Sequence, residues 1–131
     1  MSNLLLDLIN YVTNKELIQG DGVDAFRDFM PEEPDNVVVF NEYRGDPLLL
    51  HETITNRSVQ VVTRNKDAEA ACSLANEICK CLQPTTDNAL VQISEERWGQ
   101  IYVRQSPFKL GQDDNDRVLY CFNIGVTTAL D

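Results

Sequence analysis

The sequence predicts an α+β fold, two helices packed on a mixed, mostly antiparallel sheet of four to six strands, with residues 1–131 forming one domain. Three observations predict it. A β-branched run, Ser58-Val59-Gln60-Val61-Val62-Thr63-Arg64, leads almost directly into an amphipathic segment over residues 67–82. On a wheel of about 100° per residue, Ala68, Ala71, Cys72, Leu74, Ala75, Ile78, Cys79 and Leu82 fall within roughly 160° of arc. Asn76, Glu69, Lys80, Ser73 and Glu77 fill the opposite side. Near the end of the chain, Val118, Tyr120, Phe122, Ile124 and Val126 alternate with Leu119, Cys121, Asn123, Gly125 and Thr127, the period of a strand.

The remaining elements come in chain order. Ser2 or Asn3 is placed to cap a first helix running to about Ile18, with Gly20 as its stop. Leu4, Leu5, Leu8, Ile9 and Val12 form its main stripe. Leu6 and Leu17 fall off that stripe, so this helix carries more apolar surface than one core face needs; it is either buried on two sides within the monomer or offers a subunit contact. Residues 23–30 read as an edge strand of irregular pattern. Pro31-Glu32-Glu33-Pro34-Asp35-Asn36 is a stiff turn, because each proline fixes its own φ and restricts its predecessor. Val37-Val38-Val39-Phe40 is a buried strand continuing through Tyr43 to a second turn, Arg44-Gly45-Asp46-Pro47. Leu48-Leu49-Leu50 then runs into a polar stretch, either packing back on the core or forming the tip of an exposed arm. In the second half, Asn65 or Asp67 caps the helix over 67–82 and Pro84 prevents its continuation. Residues 90–93 and 99–105 read as strands around 94–98, and residues 106–116, ending in an acidic tip, as the connection to the last strand.

Composition excludes several functions. Twenty-one acidic against eleven basic residues give a net charge of −10, and a nucleic-acid binder needs lysine and arginine to displace counterions from phosphate. Tight nucleic-acid binding is therefore not expected. Leu4-Leu5-Leu6 is far too short for a membrane span and no basic leader precedes it, so no membrane association is expected and a cytosolic setting is. The four cysteines read as small buried hydrophobes. Cys72 and Cys79 lie two helical turns apart, roughly 10.5 Å of rise, beyond disulfide reach.

No catalytic, cofactor or metal site is expected. Asp113-Asp114-Asn115-Asp116 resembles half a calcium loop, but the sixth and twelfth positions from Asp114 are Leu119 and Gly125, where a glycine and a glutamate are required. His51 is the lone histidine and no thiol lies beside it. Phosphate-binding, dinucleotide-binding, nucleophile-elbow and zinc-protease signatures are missing.

Three stretches together resemble one family, the minor capsid or tail-terminator proteins of long-tailed bacteriophages. The first is Pro31-Glu32-Glu33-Pro34-Asp35-Asn36 with its apolar strand and Glu42-Tyr43-Arg44-Gly45-Asp46-Pro47. The second is Val59 to Arg64 with the helix after it. The third is Gln105-Ser106-Pro107-Phe108-Lys109-Leu110-Gly111 with the acidic turn, Arg117 and Asn123. Asp116 stands where such proteins often carry a glycine. The resemblance implies a structural virion protein that assembles with itself into a ring, usually a hexamer. It would stop growth of the tail tube protein and join the tube to the head connector. On the residues alone, a connector-side head-completion protein and a small-ligand binding domain of similar layout remain open. A ring would draw its subunit contacts from the surplus apolar residues Leu6, Leu17, Leu48, Leu49 and Leu50 and from the turn residues Arg44 and Asp46.

Overall fold

Each element forms where its sequence pattern and its caps agree. In the computed structural model, which describes residues 3–45, 54–83 and 90–129, the elements run α1 (Leu4–Asn14), β1 (Ala25–Arg27), β2 (Val37–Gly45), β3 (Ile54–Asn65), α2 (Ala68–Leu82), β4 (Val91–Ser94), β5 (Arg97–Gln112) and β6 (Val118–Ala129). The strands make one six-stranded sheet in the order β1-β2-β3-β6-β5-β4. Only β1 pairs in parallel, with β2; the other pairings are antiparallel. Two helices on a mixed sheet is the α+β architecture that the sequence predicts.

The β3–α2 unit lies at the middle of this arrangement. Asp67 caps α2 by accepting from the Glu69 amide at 3.0 Å, and Asn65 in turn accepts from the Asp67 amide at 2.9 Å. Ala71, Ala75, Ile78, Cys79 and Leu82 are buried as α2 lies over β3, β6 and β5, whereas Ala68, at the rim of the predicted stripe, is exposed. Thr63, buried on the strand below, donates its hydroxyl to the Ala71 carbonyl at 2.8 Å. One core results, joining Leu4, Leu8, Ile9 and Val12 of α1 to α2 and to Val38, Phe40, Val59, Val61, Ile101, Phe122, Ile124 and Val126 of the sheet. At its edge, Asp7 of α1 and Arg97 of β5 form a buried ion pair at 2.8 Å, and Arg97 also donates to Thr128 of β6.

Two sequence expectations are corrected. The first helix stops at Asn14 rather than near Ile18: Asn3 caps its start, and Glu16 turns left-handed at φ 64° with its amide on the Thr13 carbonyl at 2.9 Å. Leu17 and Ile18 are thereby free to fold back, Ile18 into the core and Leu17 against it, a gain that outweighs continuing the helix. Leu17 therefore does not share a helix face with Leu6, which is half-buried on α1. The second correction concerns residues 106–111, which continue β5 instead of connecting two strands. Pro107 suggests a break, yet among the described residues β4 pairs with β5 only as far as Gly99, so a proline beyond it lies on an edge where its missing N–H costs no ladder bond.

Candidate functional site

The face of the sheet away from the helices carries the residues of interest, and strand alternation decides which they are. Arg57, Val59, Val61 and Thr63 of β3 point toward the helices; Ser58, Gln60, Val62 and Arg64 point the other way. At one end of this open face lie Arg64, the last arginine of the β-branched run, and Arg117, just before β6; both are buried. Residues 29–36 form a strap bound to these two guanidinium groups. Arg64 donates Nε to the Asp35 carbonyl at 3.2 Å and Nη2 to the carbonyls of Pro34 at 2.7 Å and Glu32 at 3.3 Å. Arg117 donates Nη1 to the Glu32 carbonyl and to Asp35 Oδ1, and Nε to Asp113 Oδ2 at 2.8 Å.

Two like charges side by side need counter-charges. Burial and the neighbouring Arg117 lower the Arg64 pKa, while Asp113, Asp35 and Glu33 act to raise it. Partial shielding from water works to raise the Asp113 carboxyl, but the amides of Arg117 and Asn115 and the Arg117 guanidinium outweigh it and hold that carboxyl below its ordinary range. The hairpin around it is tight: Asp113 donates its amide to the Arg117 carbonyl at 2.9 Å, and Asp116 sits left-handed at φ 60°. That conformation explains why a glycine suits this position and why aspartate, one of the few residues that tolerates it, can replace it.

Further along the same face, Asn41, Gln60, Asn123 and Gln105 align across β2, β3, β6 and β5. Asn123 donates to Gln105 at 2.8 Å. A bulge in β5 makes the next cluster: Val103 pairs with core-facing Ile124 while Gln105 pairs with Asn123, so Arg104 is the extra residue and turns to the open face. There it lies over the Tyr102 ring, 5.3 Å from its centroid, and donates to Ser58 at 2.7 Å and to the Tyr102 hydroxyl at 2.9 Å. Asn56 bonds the same hydroxyl at 2.7 Å. Gly125 makes room for this, since a Cβ there would overlap the Tyr102 ring and approach Arg104 Nε to 2.7 Å. Gly125→Ala is accordingly expected to cost about 1–3 kcal/mol by overpacking, and less once Tyr102→Ala is added; urea melts of the single and double variants test this.

The residues that the sequence singles out are dispersed. Leu6 lies on α1, and Leu17 lines an open groove of about 390 Å³ with Tyr11, Lys15, Lys80 and Val91. Arg44 falls in β2, opposite Ser58, with its side chain outside the described residues. Asp46, Leu48, Leu49, Leu50 and His51 also lie outside the described residues. Among the described residues no group of three His, Cys, Asp or Glu is placed to hold a metal ion, and the cysteines are free thiols. No helix among them is long and apolar enough to cross a membrane. Sequence reading missed the roles of Asp7, Arg64, Arg97 and Arg104. An arginine closing a β-branched run in a chain of net charge −10 is a signal for Arg64; the Asp7–Arg97 pair, 90 residues apart, leaves none.

What the open face does join is the three sequence stretches. Glu32, Pro34 and Asp35 of the first, Arg64 of the second and Asp113 and Arg117 of the third meet in one cluster, and Gln105 and Asn123 of the third bond nearby. In comparisons with known proteins, no curated protein matches the chain significantly. A family model described as bacteriophage tail terminator protein matches residues 11–129. That match spans nearly the whole chain, takes in every strand and all three converging stretches, and shows that the chain belongs to the bacteriophage tail terminator family.

Proposed function

We propose that this protein closes the finished tail tube as a ring of identical subunits, six in the usual arrangement, and presents its other side to the head connector. The family match over residues 11–129 carries this reading. It makes the protein a structural component of the phage tail, and ring formation and connector joining are the finer steps of the proposal. The open face supports a scaffold role rather than catalysis, because the donors of Arg64 and Arg117 are spent on the protein's own carbonyls and carboxylates. Assembly takes place in the host cytoplasm, with the tail tube protein and the connector as partners and without tight DNA binding, since a subunit of net charge −10 repels phosphate.

A closed ring uses heterologous contacts, so two different patches of the subunit meet. Leu48, Leu49 and Leu50 on the β2–β3 connection, flanked by Arg44 and Asp46, form one proposed patch, and Leu6 on α1 the other, with Leu17 a separate proposed contact at the groove beyond that helix. Leu49→Asp is expected to leave a folded protein that fails to assemble or to complete tails. Circular dichroism, light scattering at several concentrations and tail complementation together check this. A variant that unfolds would place these leucines in the core, and one that assembles and completes tails normally would place the contact elsewhere.

A further inference from the structure

The strap, residues 29–36, is held in an unusual way. Its neighbours on either side are tied by backbone: Asp28 donates its amide to the Phe40 carbonyl at 3.0 Å, and β2 begins at Val37. Among the described residues, the strap's polar attachments are the Arg64 and Arg117 donors and an ion pair from exposed Lys66 to Asp35 at 3.6 Å. Strap carbonyls thus bind two adjacent cations, whose counter-charges are Asp35 on the strap and Asp113 on the β5–β6 hairpin. Val37, the residue that follows the strap, lies opposite Arg64 and is 1% exposed, and Val39, Val62 and Cys121 further along the same face are buried too, although both helices pack on the far side of the sheet.

We propose that Asp113, acting through Arg117, latches the strap over the open face, and that acid releases the strap as a unit while the helices and sheet stay folded. The charged groups around the latch set the direction. Arg64 comes from β3, Arg117 and Asp113 from the hairpin, Asp35 and the exposed Glu32 and Glu33 from the strap, and Lys66 from the turn before α2; Asp114 and Asp116 stand exposed beside the hairpin. Protonating Asp113 takes the carboxylate from Arg117 Nε and leaves two buried, adjacent guanidinium groups with less counter-charge between them. The arrangement then relaxes by letting water reach the arginines, which requires the strap to lift. Because the folded protein holds the Asp113 carboxyl below its ordinary range, the latch is fully closed above the ordinary aspartate range. It loosens as pH falls toward that lowered value. Apart from the Asp7–Arg97 pair at its edge, the main core is held by apolar packing and backbone ladders, which acid does not remove, so local opening precedes global unfolding.

The test places a thiol at the foot of the strap with Val37→Cys and uses Cys79, 7% exposed beneath α2 on the opposite face, as an internal control. The protein is pulsed with a pyridyl disulfide, which labels thiols in acid, while pH is lowered; labelling is mapped residue by residue and far-ultraviolet dichroism is followed in parallel. The expected result is that position 37 becomes reactive while Cys79 stays protected and the dichroism is unchanged. Adding Asp113→Asn should speed labelling of position 37 at neutral pH by about tenfold, while Lys66→Ala should not. Simultaneous exposure of both thiols with loss of dichroism would overturn the proposal, as would an Asp113→Asn variant that labels like its parent. Should Asp113→Asn fail to fold, the order of exposure in the parent decides alone.

Discussion

Asp7→Ala is expected to lower the unfolding free energy by about 3–5 kcal/mol, a loss far larger than a surface ion pair would produce. The Asp7 carboxylate lies 2.8 Å from Arg97 Nε, and the side chains of Arg97 and Asp7 are only 4% and 10% exposed. Removing it takes a carboxylate away from a guanidinium that has almost no water to turn to. The pair also ties the first turn of α1 to β5 and, through the Arg97 donor to Thr128 at 3.2 Å, to β6. Replacing both partners with apolar residues, Asp7→Leu with Arg97→Met, should recover most of the loss, because desolvating two charges already cancels much of what their attraction contributes. Urea denaturation of the single and double variants measures this. A loss below about 1 kcal/mol for Asp7→Ala would show that the ion pair behaves as an exposed one.

Ile78→Ala is expected to cost about 2–5 kcal/mol, from lost transfer free energy and the cavity left behind. Ile78 is fully buried where α2 crosses β3, β6 and β5, in one cluster with Val61, Ile101 and Phe122. Lys80, two residues on, is exposed, and Lys80→Ala should change stability by no more than about 0.5 kcal/mol. Denaturant melts of the two variants compare the faces directly, and equal effects would mean that α2 does not pack by this stripe.

Periodicity made much of this fold readable. The stripe of Ala71, Ala75, Ile78 and Leu82 and the alternation from Val118 to Val126 each report on neighbours within a few residues, and burial acts on that same scale. Caps were equally legible, as Asn3 and Asp67 show, because a capping side chain bonds an amide two or three residues away. Where local signals compete, reading them in isolation failed. Glu16 ended α1 early because Leu17 and Ile18 gain more from the core than from another helical turn, and Pro107 stayed in a strand because the edge beside it needs no donor.

The sequence by itself determined the two helices, the strand pattern, the acidic surface and, through three ordered stretches, the resemblance that the family match confirms. Only the tertiary structure decided that Arg64 and Arg117 share one strap, that Asp7 neutralises Arg97, and that Arg104 turns onto Tyr102 above Gly125. The physical reason is range. Hydrophobic period and caps are short-range and repeat along the chain, whereas a buried charge must find its partner wherever the sheet brings one. For Arg97 that partner is 90 residues away, and for the strap carbonyl of Glu32 the two donors are 32 and 85 residues on, distances over which no pattern in the chain links one residue to the other.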